Sequence, residues 1–451
     1  MTEKPVSEMA RAVRSTETAK SVNKLVKAWY ARARESSGSG RRVVWAKVGL
    51  QPELLTIFDI DAVWPENFGA ACAAKQVAVD FIETAEADGY GRDTCSYARN
   101  TLGYSQRWID LGVLPPEAPA GGMAKPDMLV TLAAGCDVGT KWWQALATRY
   151  WGDVPIHEVD VQSPPYGLDL NDERIKEHYV AHMEEEFTDL VAFLEKHTGK
   201  KYDEAKLSEA IVKSYKAQRL SYEVEELRKA VPSPMPGEDY FACIVPQLYM
   251  VGEQEAVDFY QSLYDEVKYR VDNKIGVIPD EKYRILWVGI PPWFNLGIFN
   301  YLESLGSVSV IETQYYIDKP PEVDPSNPLR ALAERAWLRA IRNHELGGEM
   351  VPDGAHTCAM LGFAPVGLVT QFVRDYKIDG IIMHSTVSCR AVPFGQAHTR
   401  NVLPKYLDTP VTFFESDMAD PRSWADAQIK KQINVFMEVL TSAKRKAKVG
   451  K

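Results

Sequence analysis

Apolar and polar positions along the chain fall into two sets of short apolar runs alternating with longer periodic stretches, separated by charged helical sequence. In the first set, residues 42–48, 61–64, 127–132 and 155–159 read as buried strands. Between them lie a short helix opening at Pro52, with proline in its first turn, an alanine-rich helix from Pro65 to about Glu86, and a helix past Cys136 through Trp142 and Trp143. In the second set, residues 283–290, 308–311, 379–383 and 410–414 read as strands. Helices are expected up to about Leu305, over 327–343, over 355–376 and from about Pro421 to Ala443. Strand, loop and helix alternating at this spacing predict mostly parallel sheets.

Residues 171–230 and 253–273 are long, charged and helical, and read as connectors rather than as a further sheet. At the start, residues 7–36 carry Val22, Leu25, Val26 and Trp29 on one stripe, which predicts an amphipathic helix packing on a partner subunit. Residues 36–40 follow as a Ser/Gly linker. The expected organisation is an N-terminal helical segment over 1–40, a first α/β domain over 41–170, a helical connector over 171–280, and a second α/β domain with a C-terminal helix over 281–451.

Composition narrows the class. The chain has 451 residues, 45% hydrophobic and 25% charged, which is an ordinary globular balance. A net charge of −10 offers no basic footprint for nucleic acid or an anionic membrane. No apolar run approaches a membrane span, and the polar N-terminus has no secretory core, so a cytoplasmic protein with reduced thiols is expected. Six cysteines without a C-x-x-C pair do not make a disulfide scaffold. The chain has no Gly-x-x-x-x-Gly-Lys-Ser/Thr, no His-Glu-x-x-His, no Gly-x-Ser-x-Gly, and no Gly-x-Gly-x-x-Gly after a strand. ATP hydrolysis and common nicotinamide chemistry are therefore not expected of it.

The candidate chemistry centres on thiols. In Glu86–Asn100, Gly89 and Gly91 suit a tight backbone path, and Asp93 or Thr94 is placed to cap a helix beginning near Cys95. A thiol in the first turn of a helix feels the positive end of its dipole, which favours thiolate. Cys136 and Cys389 each fall past the carboxyl end of an expected strand, where open α/β sheets bind ligands. These three thiols suit convergence in an inter-domain cleft, although spacing alone favours three separate structural cysteines. Zinc would be fair on ligand type, but structural zinc usually shows a local cysteine pair; iron–sulfur clusters accept thiolates from remote loops. Cys72, Cys243 and Cys358 sit in apolar contexts and read as core.

Glu66 is either an active-site carboxylate or a first-turn glutamate favouring the helix dipole. His384 and Ser385, at an expected strand end, suit proton transfer or backbone hydrogen bonding. His356 reads as structural. Arg99, Lys141 and Arg390 stand near the three cysteines, either tuning them or as solvated charges.

Ala87-Asp88-Gly89-Tyr90 with Asp93–Arg99, Gly135-Cys136-Asp137 before Lys141-Trp142, and His384-Ser385 before Ser388-Cys389-Arg390 together resemble the 2-hydroxyacyl-CoA dehydratase and benzoyl-CoA reductase family. Trp64-Pro65-Glu66-Asn67 resembles its Pro-Glu-Asn segment, and Glu415-Ser416-Asp417 with Asp420-Pro421-Arg422 its C-terminal strand-end signature. The resemblance runs from about 41 to 440.

It implies two Rossmann-like parallel-sheet domains holding a four-iron four-sulfur (4Fe-4S) cluster on Cys95, Cys136 and Cys389, with Glu66 and His384 as candidate proton sources. It also implies pairing with a homologous second substrate-binding subunit. Separate ATP-hydrolysing iron–sulfur activator subunits, fed by reduced ferredoxin, would deliver single electrons. The family's two chemistries are water elimination from 2-hydroxyacyl-CoA and reduction of the benzoyl-CoA ring to a cyclic diene. The long chain, Trp64 and Cys72 around the Pro-Glu-Asn segment, and Met383-His384-Ser385 before Cys389 are more similar to the ring-reducing branch, which takes an aromatic acyl-CoA. Lys47-Val48-Gly49 stands where the dehydratases carry a serine hydroxyl.

Overall fold

A computed structural model describes residues 11–449, apart from 37, 38, 134, 135, 153, 163, 165–167, 170, 171, 323 and 339–365. The chain opens with α1 (Glu17–Glu35), whose N-cap Thr16 accepts from the Ala19 amide. Its apolar stripe, Ala19, Val22, Trp29, Tyr30 and Ala33, is buried against this chain's own α9 (Gly237–Tyr249) and α10 (Gln254–Asp272). Trp29 stacks on Tyr249 with ring centroids 6.0 Å apart. The face expected to meet a partner subunit is thus covered within the chain.

The first alternating set becomes β1 (Arg42–Ala46), α2 (Pro52–Thr56), β2 (Ile60–Val63), α3 (Pro65–Ala74), α4 (Ala78–Ala87), α5 (Ser96–Leu111), β3 (Met128–Leu132), α6 (Asp137–Ala145) and β4 (Ile156–Val159). Its sheet has the order β2-β1-β3-β4, with every neighbouring pair parallel. The second set becomes β5 (Tyr283–Val288), α11 (Gly297–Ser304), β6 (Ser307–Glu312), a helix α12 over 328–338, α13 (Val366–Asp375), β7 (Gly380–Thr386), α14 (Gln396–Val402), β8 (Val411–Ser416) and α15 (Asp426–Val449). Its sheet repeats the order as β6-β5-β7-β8, again all parallel. Burial on both faces explains the unbroken apolar runs, as in β3 and β7, where every residue is buried. Between the sheets stand α7 (Glu173–Thr198), α8 (Glu204–Leu227), α9 and α10. Among the described residues no helix is long and apolar enough to cross a membrane.

Four local differences from the sequence reading have physical causes. The helix expected from Pro65 to Glu86 is two helices, broken at 75–77, where Gln76 takes φ 63° and its Nε2 donates to the Phe294 carbonyl of the second half at 2.7 Å. Helix α9 was not anticipated; it is buried on nearly all sides, so it carries no amphipathic stripe. Strand β7 runs on to Thr386, which places His384 and Ser385 within the sheet rather than past its end. The connector 171–230 divides at Gly199, which takes φ 74° just past α7. His356, Cys358 and parts of the helices expected over 327–343 and 355–376 lie outside the described residues.

In each sheet the strand order reverses between the first and third strands in sequence, and the crevice at such a point lies beyond the strands' carboxyl ends. Lys47 follows β1, Cys136 comes after β3, and Cys389 comes after β7. Cys136 and Cys389 therefore occupy corresponding places in the two halves.

Candidate functional site

Each candidate thiol stands where backbone N–H groups point outward. Cys95 is itself the N-cap of α5, in place of Asp93 or Thr94, and the nearby amides of Ala98 and Tyr97 favour its thiolate. The turn that delivers it uses Gly89 at φ 100°, where α4 ends. Cys136 is the N-cap of α6. Cys389 lies in the turn after β7, its own amide donating to Thr386 O at 3.1 Å and the Val392 amide reaching its Sγ at 3.5 Å.

These segments meet. The Ser96 amide, next to Cys95, donates to Ser388 Oγ, next to Cys389, at 3.1 Å. Arg390, next to Cys389, pairs with Asp137, next to Cys136, at 3.0 Å. Burial pushes the Cys95 thiol up, and the neighbouring Cys389 and Cys136 push it further. Burial likewise raises Cys389, with Cys136 adding to it and the Val392 and Ala391 amides opposing. All three are half-buried, whereas Cys72 and Cys243 are sealed in the core. Among the described residues no three His, Cys, Asp or Glu side chains stand close enough to hold a single metal ion. Sulfurs around one zinc would lie about 3.8 Å apart, given Zn–S bonds of about 2.3 Å. A cluster instead offers each cysteine a different iron, so its ligands stand further apart. The sulfur-only donor set, ringed by N–H groups that favour an anion, fits such a cluster.

Glu66 lies in the first turn of α3, after Pro65. Its Oε1 accepts from the Val48 amide at 3.3 Å, and its buried Oε2 has no partner. Burial raises it to about 7, opposed by its own amide, Lys47 and the Val48 amide. Lys47 is itself buried, and its Nζ donates to Leu132 O at 2.9 Å. A Cβ on Gly139 would lie 2.2 Å from that Nζ, so glycine at this point of α6 makes room for the lysine.

Aromatic side chains complete the surroundings. Trp293 Nε1 donates to the Tyr97 hydroxyl, and the Trp293 ring lies beside Tyr315, with centroids 6.1 Å apart. Tyr315 is close enough to Cys389 and Glu66 for both to raise it, and Glu66 and Tyr315 both act on Tyr249. His384 stands apart from this group. Its Nδ1 bonds the Ile290 carbonyl, its ring lies against Trp287 and Phe414, and its Nε2 is buried without a partner. Burial holds it down at about 4, with Ile290 and Asp417 opposing.

Lys47, Tyr97, Tyr249, Tyr315 and Trp293 were not singled out from sequence as site residues. Lys47 and Tyr315 carried a faint signal, as polar groups just past the carboxyl ends of apolar strands. The other aromatics were indistinguishable from core among 21 tyrosines and 11 tryptophans.

Two parallel sheets of like order, joined where the segments bearing Cys95, Cys136 and Cys389 meet, define a two-part α/β protein. A family model described as 2-hydroxyglutaryl-CoA dehydratase, D-component, matches residues 48–440, and the chain belongs to that family. It is 26% identical over 430 residues to the (R)-2-hydroxyisocaproyl-CoA dehydratase alpha subunit of Clostridioides difficile, covering 94% of this chain and 96% of that one. It is likewise 26% identical over 427 residues to a benzoyl-CoA reductase subunit of Thauera aromatica, covering 91% of each. The lactoyl-CoA dehydratase alpha subunit of Anaerotignum propionicum is 24% identical over 416 residues, covering 90% of this chain and 93% of that one.

Proposed function

We propose that this chain is the acyl-CoA-binding subunit of an ATP-dependent aromatic acyl-CoA reductase, reducing the ring of benzoyl-CoA or a close analogue to a cyclic dienoyl-CoA. The observation that carries the reading is the meeting of the segments that bear Cys95, Cys136 and Cys389, with Lys47 and Val48 linking the Cys136 segment to the buried carboxyl of Glu66. In this reading the three thiolates hold a 4Fe-4S cluster. Bound there, the cluster supplies single electrons at low potential.

The chain's own residues do the rest. Tyr97, Tyr315 and Trp293 form an aromatic cluster suited to an aryl ring. Glu66, half-protonated near pH 7, supplies protons as charge accumulates on the substrate. His384, buried at the end of β7, is the second candidate. With no phosphate-cradling loop in the sequence, ATP hydrolysis falls to separate activator subunits, supplied by reduced ferredoxin. A homologous second subunit completes the assembly, in keeping with relatives named as subunits.

A second reading, 2-hydroxyacyl-CoA dehydratase, is favoured by the relatives named for that reaction. Lys47 weighs against it, since it occupies the neighbourhood of the serine hydroxyl that the dehydratase resemblance calls for. A third reading is a cluster-bearing partner that binds no acyl-CoA. The deciding experiment incubates the anaerobically reconstituted complex with ATP, reductant and either benzoyl-CoA or a 2-hydroxyacyl-CoA. Diene from benzoyl-CoA is expected; enoyl-CoA from the hydroxy substrate with no diene would replace the first reading by the second.

A further inference from the structure

Two consecutive residues bridge the crevice beyond β1. The Lys47 amide continues the ladder with β3, donating to Val130 O at 3.1 Å, and the Lys47 carbonyl accepts from the Leu50 amide at 3.2 Å, in a turn where Gly49 takes φ 100°. The backbone of Lys47 is thus fixed on both sides. Its side chain lies against Gly139 of α6, where a Cβ would stand 2.2 Å from Nζ and 2.5 Å from Cε. The ammonium donates to Leu132 O, at the end of β3, at 2.9 Å and reaches Cys136 O, at the start of α6, at 3.5 Å. One side chain therefore ties together the two ends of the turn that carries Cys136. The Cys136 carbonyl also accepts from the Gly139 amide at 3.2 Å. The next residue reaches the other way, the Val48 amide donating to Glu66 Oε1 at 3.3 Å.

This cation is out of solvent: Lys47 is 5% exposed. Its charge is screened far less than a surface charge would be. Arg390, which adjoins Cys389, is by contrast 59% exposed along its side chain and paired with Asp137. A residue's carbonyl oxygen and its own sulfur are only a few bonds apart, so the Lys47 ammonium stands within one residue's reach of the Cys136 thiol.

We propose that Lys47 is a positioning residue of the thiol centre, its buried ammonium closing the Cys136 turn and favouring the reduced state of an iron–sulfur cluster held there. The proposal rests on the cluster reading above. Reduction places one electron, taken from a low-potential donor, on the cluster, whose charge becomes more negative by one. A fixed cation close by stabilises that state and raises the potential. Because Val48 follows on the same backbone, the contacts that set the Cys136 turn also fix the amide that holds Glu66.

The test is a redox titration of the anaerobically purified full-length protein, followed by electron paramagnetic resonance, on wild type, Lys47→Met, Arg390→Met and Gly139→Ala. Lys47→Met is expected to lower the midpoint potential by about a tenfold change in the one-electron equilibrium, about 59 mV. Arg390→Met removes an exposed charge and is expected to shift it much less. Gly139→Ala keeps the ammonium but pushes it aside, and is expected to lower the potential part of the way. Amide exchange over 136–140, read on the chain before iron is added, is expected to quicken in Lys47→Met and Gly139→Ala. An unchanged or raised potential in Lys47→Met, or an equal shift in Arg390→Met, overturns the proposal. Should Lys47→Met not fold, an unchanged potential in Gly139→Ala does the same. Unchanged exchange in both variants overturns the turn-closing role. Wild-type protein that takes up no iron removes the cluster reading and the redox role with it, while the exchange measurement still decides the turn.

Discussion

Burial moves Glu66 and His384 in opposite directions, because it disfavours charge whatever its sign. Glu66 rises to about 7 and His384 falls to about 4, so at neutral pH the carboxyl is half-protonated and the imidazole is neutral. The consequence for stability follows from proton counting. The folded chain keeps the Glu66 proton from about pH 4.5, where an unfolded glutamate sheds it, up to about 7. The Glu66 contribution therefore falls as pH rises through that window, by up to about 3 kcal/mol. Glu66→Gln should be more stable than wild type at pH 8 and close to it at pH 4, read from denaturant midpoints. A difference independent of pH would mean that Glu66 is not held protonated. Sequence made this residue visible through the Pro-Glu-Asn segment, but not its state. That state depends first on burial, opposed by Lys47, which the register of β1 beside β3 and the space over Gly139 bring close. Tyr315 was hidden for a similar reason: its place follows from hydrogen bonds to α8 and α9, more than 60 residues earlier in the chain.

Among elements, the parallel strands were the most legible, because burial on both faces writes them as apolar runs. Helix α9 was least legible for the same reason, since a helix buried all round loses the stripe that marks the others. Boundaries erred where tertiary contacts intervene, as at Gln76, whose side chain reaches across to Phe294. Helix α4 packs closely on α5, the element that carries Cys95 at its start. A Cβ on Gly103 would lie 1.7 Å from the Phe81 carbonyl oxygen, an overlap with backbone that no rotamer relieves. Gly103→Ala should therefore destabilise the protein by about 1–3 kcal/mol or more, despite alanine's better helix propensity. Retained or raised thermal stability would show that α4 and α5 slide apart without cost.

At the scale of the whole molecule, the two halves are tied beside Cys95 by charge. Arg99 of α5 is 1% exposed and contacts both Glu86 of α4 and Asp420 beyond β8, the latter at 3.3 Å. Arg422 pairs with the same two carboxylates at 2.6 and 2.7 Å. The Ser96 hydroxyl meets Asp417, which also accepts from the Ala419 amide at 2.9 Å and the Asp420 amide at 3.1 Å. The arginines hold Glu86 and Asp420 below the usual carboxylate range. Removing Arg99 leaves two partly buried carboxylates to Arg422 and, for Glu86, the exposed Arg92 at 3.6 Å, so Arg99→Met should cost about 3 kcal/mol. It should also speed amide exchange at the start of α5 and over 417–422. Unchanged exchange there would mean that the halves are held by their apolar contacts alone. The pairing of Ser96 with Asp417 spans 321 residues of sequence, which is why motif order could suggest the junction but spacing could not.

The central claim is that Cys95, Cys136 and Cys389 act together. Iron and acid-labile sulfide, measured on anaerobically purified wild type and on single cysteine-to-serine variants, test it most directly. About four irons and four sulfides per wild-type chain are expected. Iron should fall sharply in Cys95→Ser, Cys136→Ser and Cys389→Ser, and be retained in Cys72→Ser and Cys243→Ser. Fewer than about three irons in wild type, or iron unchanged by the first three substitutions, would contradict the account.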